Sequence, residues 1–253
     1  MKRKLWTFGD SFSTGESKPF YDRLMDKNLT CFDNQLSEVS YLRSEYKKIA
    51  YSTHLSKILD LEDCNLSLGG LGQKGIVKGM VNATHLIKKE DIVIVAYSSP
   101  FRGFGPESWK KTVVDKDSRL DYHSYVMLEY KKYIETTEEI LEGKNFIFTQ
   151  AFNPIFGYFD TSLLMKKNDN FIEWGKKNNT LHDICADTWL REDEENHMMK
   201  KGKSFFSPFS IDFREWSKKT EKEKQYLEFC HHPSPKGHEL IAKTLLPYIE
   251  DKI

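Results

Sequence analysis

Residues 92–97 read Ile-Val-Ile-Val-Ala-Tyr, an unbroken apolar run rich in β-branched side chains. A half-buried strand alternates apolar with polar residues. A run without alternation fits a strand covered on both faces, in the middle of a parallel sheet. Parallel neighbours are joined by crossovers, usually helical. Three more segments read as strands: Leu5–Phe8, Cys64–Leu68 and Asn145–Gln150. Helical patterns fall between and after them, over Glu45–Leu59, Gly75–Ile87, Tyr122–Leu141 and Glu239–Ile249. Strands alternating with helices predict an α/β architecture with helices on both faces of a mostly parallel sheet.

Two stretches stand apart. Lys18–Ser44 reads as loop-rich. The segment from about 158 to 226 shows no clean strand and reads as an irregular insertion. Its aromatics (Trp174, Trp189, Phe205, Phe206, Phe209, Phe213 and Trp216) point to an ordered excursion and not a linker. The 253 residues suit one large α/β domain, residues 1–253, which is favoured because the two ends carry complementary chemistry.

Composition excludes several classes. Lys plus Arg and Asp plus Glu both number 38, so no net field favours nucleic acid or an anionic membrane. The basic start Met1-Lys2-Arg3-Lys4 is followed by only a short apolar stretch, too short for the core of a signal peptide. No window approaches the roughly 18 apolar residues of a membrane span. A cytoplasmic protein is expected, and association with a virion would leave no different trace. Cys31, Cys64, Cys185 and Cys230 are scattered without C-x-x-C spacing and are expected to stay reduced.

The chemistry is concentrated at the ends. Gly9-Asp10-Ser11-Phe12-Ser13-Thr14-Gly15 follows the first strand, a place for an exposed nucleophile. A serine hydroxyl needs a base to take its proton. Ser11 in such a place is otherwise a turn or helix-capping serine. Far downstream, His232-Pro233-Ser234-Pro235-Lys236-Gly237-His238 precedes the last helix. Pro233 fixes the chain after His232, and Gly237 reads as the residue of a tight turn. His232 is the candidate base, against the alternative of a surface loop histidine. Cys230, His231, His232 and His238 do not make a metal set, because adjacent ligands cannot all turn to one ion and no second cluster exists. Gly69–Gly75 lacks the Gly-Lys-Ser/Thr ending of a phosphate loop. No dinucleotide fingerprint follows the first strand, and no cofactor is expected.

Gly-Asp-Ser-Phe-Ser together with His-Pro-Ser-x-x-Gly-His resembles the first and last blocks of the SGNH/GDSL hydrolases. The resemblance implies a flavodoxin-like three-layer α/β/α sandwich with a central parallel sheet. It also implies an esterase that works through an acyl-enzyme. Ser11 would be the nucleophile and His232 the base. The family's oxyanion glycine corresponds to Gly70, or to its neighbour Gly69, in Asn65-Leu66-Ser67-Leu68-Gly69-Gly70. Two blocks depart from the pattern. Where the family carries an asparagine donor, this chain has Tyr97-Ser98-Ser99-Pro100-Phe101-Arg102, so Ser99 would donate from its hydroxyl. Arg102 would add a charged donor, bind an anionic substrate, or serve only a structural ion pair. The aspartate that precedes the histidine is also absent. Glu228 is the candidate carboxylate, four residues before His232 and three before His231. If His231 were the base, Pro233 would fall one position late.

Many relatives remove acetyl groups from carbohydrates, so an acetylated glycan or other small ester is the expected substrate. The altered blocks and the Lys-, Asn- and Phe-rich make-up resemble bacteriophage members. A non-catalytic binding or virion protein and an O-acyltransferase are the alternatives.

Overall fold

The computed structural model describes residues 2–16, 18–27, 37–98, 122–151, 168–170, 181–185, 220–226 and 232–252. Four strands, β1 (Lys4–Phe8), β2 (Glu62–Asn65), β3 (Ile92–Tyr97) and β4 (Asn145–Gln150), form one parallel sheet in the order β2-β1-β3-β4. The helices are α1 (Ser11–Thr14), α2 (Lys18–Asp26), α3 (Ser37–Lys47), α4 (Tyr51–Ile58), α5 (Gln73–Ala83), α6 (Tyr122–Ile140), α7 (Leu181–Cys185), α8 (Glu221–Tyr226) and α9 (Pro235–Glu250).

Strand side chains point alternately to the two faces, and each face has its own core. Leu5, Ile92, Ile94, Ala96 and Ile147 pack with Tyr51 and Leu55 of α4, Leu181 and Cys185 of α7, and Ile241, Leu245 and Ile249 of α9. Trp6, Phe8, Val93, Val95, Tyr97 and Phe148 face the other way, onto Ile76 and Met80 of α5 and Tyr130 and Ile134 of α6. Every residue of β3 is buried. At roughly 1.5–3 kcal/mol for each large side chain removed from water, this strand anchors both layers. The chain is therefore an α/β sandwich, as the alternation of strand and helix predicts.

Polar groups are placed with equal economy. Asp91, just before β3, accepts from the Lys4 N–H, the Trp6 Nε1–H and the Lys88 N–H. Burial works to raise its carboxyl pKa, but these three donors and Lys4 outweigh it, and the net shift is downward. Deep in the sheet, the Tyr97 hydroxyl donates to Thr137 Oγ1 at 2.6 Å, and the Gln150 amide to the Tyr130 hydroxyl at 2.8 Å.

Several elements differ from expectation. Lys18–Ser44, read as loop-rich, contains α2 and most of α3, which pack through Phe20, Leu24, Val39 and Leu42. The single helix expected over 45–59 is two. The Lys47 carbonyl at the end of α3 accepts from the Ala50 N–H at 3.0 Å and from Thr53 Oγ1 at 2.8 Å, while Ala50 is extended before α4. β2 lies two residues earlier than read. Within 158–226, α7 and α8 are short helices on the α4/α9 side of the sheet. The seven aromatics singled out in that segment lie outside the described residues. No described helix is long and apolar enough to cross a membrane.

Candidate active site

The sheet order places a topological switch point at the carboxyl ends of β1 and β3. The connection after β1 runs over the α4 face and the next, through α5, over the opposite face. Ligands in open α/β sheets bind at such a switch point. Ser11 follows β1 there, as the first residue of the four-residue α1. Asp10 caps that turn: its Oδ1 accepts from the Phe12 N–H at 3.0 Å. Its Oδ2 accepts from Ser98 Oγ at 2.7 Å. One buried carboxylate thus fixes the serine turn and ties it to the end of β3. Gln73, at the start of α5, donates from Nε2 to the Ser98 carbonyl at 3.0 Å and holds the same end from the other side.

The histidine arrives from the far end of the chain. Ser234 caps α9 by accepting from the Gly237 N–H, and Pro235 occupies the first helical position. Ser234 also grips α8, donating from its N–H to the Tyr226 carbonyl and from Oγ to the Gln225 carbonyl. His232 precedes this anchored corner. Its Nε2 lies 2.8 Å from Ser11 Oγ, across 221 residues of sequence. Both residues are only 3% exposed. The Phe12 ring packs on the imidazole at a centroid distance of 5.0 Å.

Gly237 serves this corner differently from the sequence reading. It is not left-handed and makes no tight turn. It lies in the first turn of α9, where a Cβ would sit 2.1 Å from the Tyr226 carbonyl oxygen. Gly237→Ala must push α8 and α9 apart. A loss of about 1–3 kcal/mol of stability is expected, read as a lower thermal midpoint. An unchanged midpoint would mean that this close contact is absent.

The glycine turn comes next to the serine turn. Asn65 ends β2; its Nδ2 donates to the Ser13 carbonyl at 2.7 Å, and its Oδ1 accepts from the Ser67 N–H. The Leu68 N–H then donates to the Gly9 carbonyl at 3.1 Å. Gly70 follows with φ of 80°, a left-handed conformation that glycine adopts without strain. The sequence reading missed Asp10, Asn65 and Gln73, although an aspartate just before a helical turn is a capping signal. Among the described residues, no group of three or more His, Cys, Asp or Glu side chains is placed to hold a metal.

Ser11, His232 and the Gly69–Gly70 turn are thus all described. Ser99, Arg102, Glu228, Cys230 and His231 lie outside the described residues. His238, in the first turn of α9, is fully buried against Tyr51, with ring centroids 6.3 Å apart. Among the described residues, neither of its ring nitrogens has a hydrogen-bond partner. Burial first, and then the neighbouring His54 and His232, lower its pKa to about 3.

No protein-family model matches the chain, and no curated protein does. Among solved structures, the chain is similar to a carbohydrate esterase whose active site is described as having divergent catalytic and non-catalytic binding functions. The similarity covers 99% of this chain and 69% of that one, at 13% identity and a TM-score of 0.43. No chemistry is transferred from it to this chain.

Proposed function

We propose that this protein is a serine hydrolase that cleaves carboxylic esters through an acyl-enzyme. The observation that carries the reading is the 2.8 Å contact between Ser11 Oγ and His232 Nε2, both buried, at the switch point of the sheet. A hydroxyl and an imidazole at that distance are within reach for proton transfer.

In this reading the imidazole is neutral, with its proton on Nδ1, so that Nε2 accepts the serine proton. Ser11 Oγ attacks the ester carbonyl. The N–H groups of Ser11 and Gly70, with Ser99, hold the oxyanion that develops. His232 then gives the proton to the leaving alcohol oxygen, and the acyl group stays on Ser11. Water, activated by the same nitrogen, releases the acid and restores the serine. Glu228 would orient the ring, and Arg102 would meet an anionic part of the substrate. The substrate class is an O-acetylated carbohydrate, favoured by the resemblance to the SGNH/GDSL hydrolases and by aromatics in the 158–226 segment that could stack on sugar rings. The reading needs no cofactor.

The test is turnover of p-nitrophenyl acetate by the purified chain, alongside labelling with a fluorophosphonate. Steady release of nitrophenol is expected, with the phosphonate on the peptide that contains Ser11. The absence of both turnover and label would overturn the proposal. Adding a sugar acceptor separates hydrolysis from transfer: in a hydrolase the acetyl group still leaves as acetate.

A further inference from the structure

Glu16 is a charged residue to which the proposed reaction gives no task, yet it is fully buried. It follows the serine turn directly, after Gly15. Its Oε1 accepts from Arg43 Nε of α3 at 2.6 Å, and Arg43 is itself only 5% exposed. The other carboxylate oxygen occupies the space beside Gly69. A Cβ on that glycine would sit 2.0 Å from Glu16 Oε2 and 2.8 Å from its Cδ. Residue 69 therefore has no room for a side chain, because a carboxylate already stands there. The same helix α3 braces the start of this loop, where Lys47 Nζ donates to the Asn65 carbonyl at 2.7 Å. Burial, and then the Arg43 charge, lower the Lys47 pKa, against an opposing pull from Glu16 and Asp63.

Burying two charges is a poor way to gain stability, because desolvation consumes most of their attraction. Such a pair does fix geometry. We infer that Glu16, held by Arg43, is a positioning residue that sets the Gly69–Gly70 turn against the serine turn and thereby aims the Gly70 N–H at the oxyanion. This rests on the esterase reading above. Asn65 fastens the base of the loop to Ser13, and the Glu16 carboxylate packs closely against its tip at Gly69. Displacing a donor by a fraction of an ångström weakens an interaction that matters most in the transition state.

The test is Glu16→Gln in the full chain, which keeps an oxygen for Arg43 but removes the charge. On p-nitrophenyl acetate, kcat is expected to fall about 10- to 100-fold while KM stays within about twofold. The final extent of fluorophosphonate labelling should match the parent, showing intact nucleophiles that turn over slowly. Gly69→Ala forces the same displacement from the other side and should give the same split, which decides the matter if Glu16→Gln does not fold. An unchanged kcat, or a loss of turnover only in proportion to lost labelling, would overturn the inference. Amide hydrogen exchange over residues 66–72 is read in parallel. It should quicken in Glu16→Gln while 145–150 stays protected, and equal exchange would count against the clamp. If the parent hydrolyses nothing, the esterase reading fails and exchange alone judges whether Glu16 holds the turn.

Discussion

Ser11→Ala is expected to lower kcat by roughly a thousandfold or more, about 4 kcal/mol of transition-state stabilisation. His232→Ala should do the same. The pairing of Ser11 Oγ with His232 Nε2 makes a sharper statement possible. Among the described residues, the hydroxyl has no base other than this imidazole at hydrogen-bonding distance. Without the hydroxyl the imidazole has no nucleophile to activate. Ser11→Ala/His232→Ala should therefore be no slower than the worse single variant, because the two act as one unit. Steady-state kinetics of the three variants, each checked for folding by circular dichroism, measures this. If the double variant instead shows the product of two independent losses, the pair is not a proton-transfer couple. Ser11 lies in a four-residue turn and His232 in an anchored corner, so neither substitution should unfold the chain.

Acid should weaken the fold well before most carboxylates titrate. His238 is buried and neutral, with its pKa lowered to about 3. In the unfolded chain a histidine takes up its proton near pH 6.5. Between those values the unfolded state binds a proton that the native state refuses. Stability rises with pH wherever the unfolded state binds more protons, so it is lost as pH falls below about 6.5. At 1.36 kcal/mol per unit, lowering the pH from 6.5 to 5 removes roughly 2 kcal/mol through His238, or about 4 to 8 °C in the midpoint for a chain of this size. His54 adds to the trend, since burial lowers its pKa as well. The control is His238→Leu, which keeps an apolar side chain against Tyr51. Its midpoint should fall less steeply over the same pH interval, whatever its absolute value. Parallel slopes would show that His238 is not the group responsible.

The residues that were legible and those that were not differ in a physical way. β3 could be placed to the residue because it is an apolar run bounded by Asp91 and Ser98, and β4 because Phe146-Ile147-Phe148 marks its centre. β2 was misplaced because Glu62-Asp63-Cys64 lies at the end of the strand order, where charged side chains are compatible with a strand. The break between α3 and α4 leaves the helical period of the apolar residues almost undisturbed. A single threonine hydroxyl capping the Lys47 carbonyl is not a periodic signal. The sparse apolar positions of α2 and α3 pair with each other, so neither helix is conspicuous alone.

The serine and the histidine were found because each lies in a short local motif. Glu16 and Arg43 could not be found that way. In sequence they look like solvated charges, and only the packing of α3 against the serine turn buries them together. His238 lies in the first turn of the last helix, and its burial depends on Tyr51, which belongs to a distant element. Ser99, Arg102 and Glu228 lie outside the described residues, and their roles are proposals.

The 221-residue gap between the paired serine and imidazole has a consequence for synthesis in the cell. During synthesis Ser11 emerges 221 residues before His232, and the two can pair only once the segment leading into α9 has docked on the α4 side of the sheet. Contacts so remote in sequence form late, after many loop closures. Under the proposed esterase reading, chains that lack His232 are expected to be inert towards esters, and the onset of turnover would time the docking of α9.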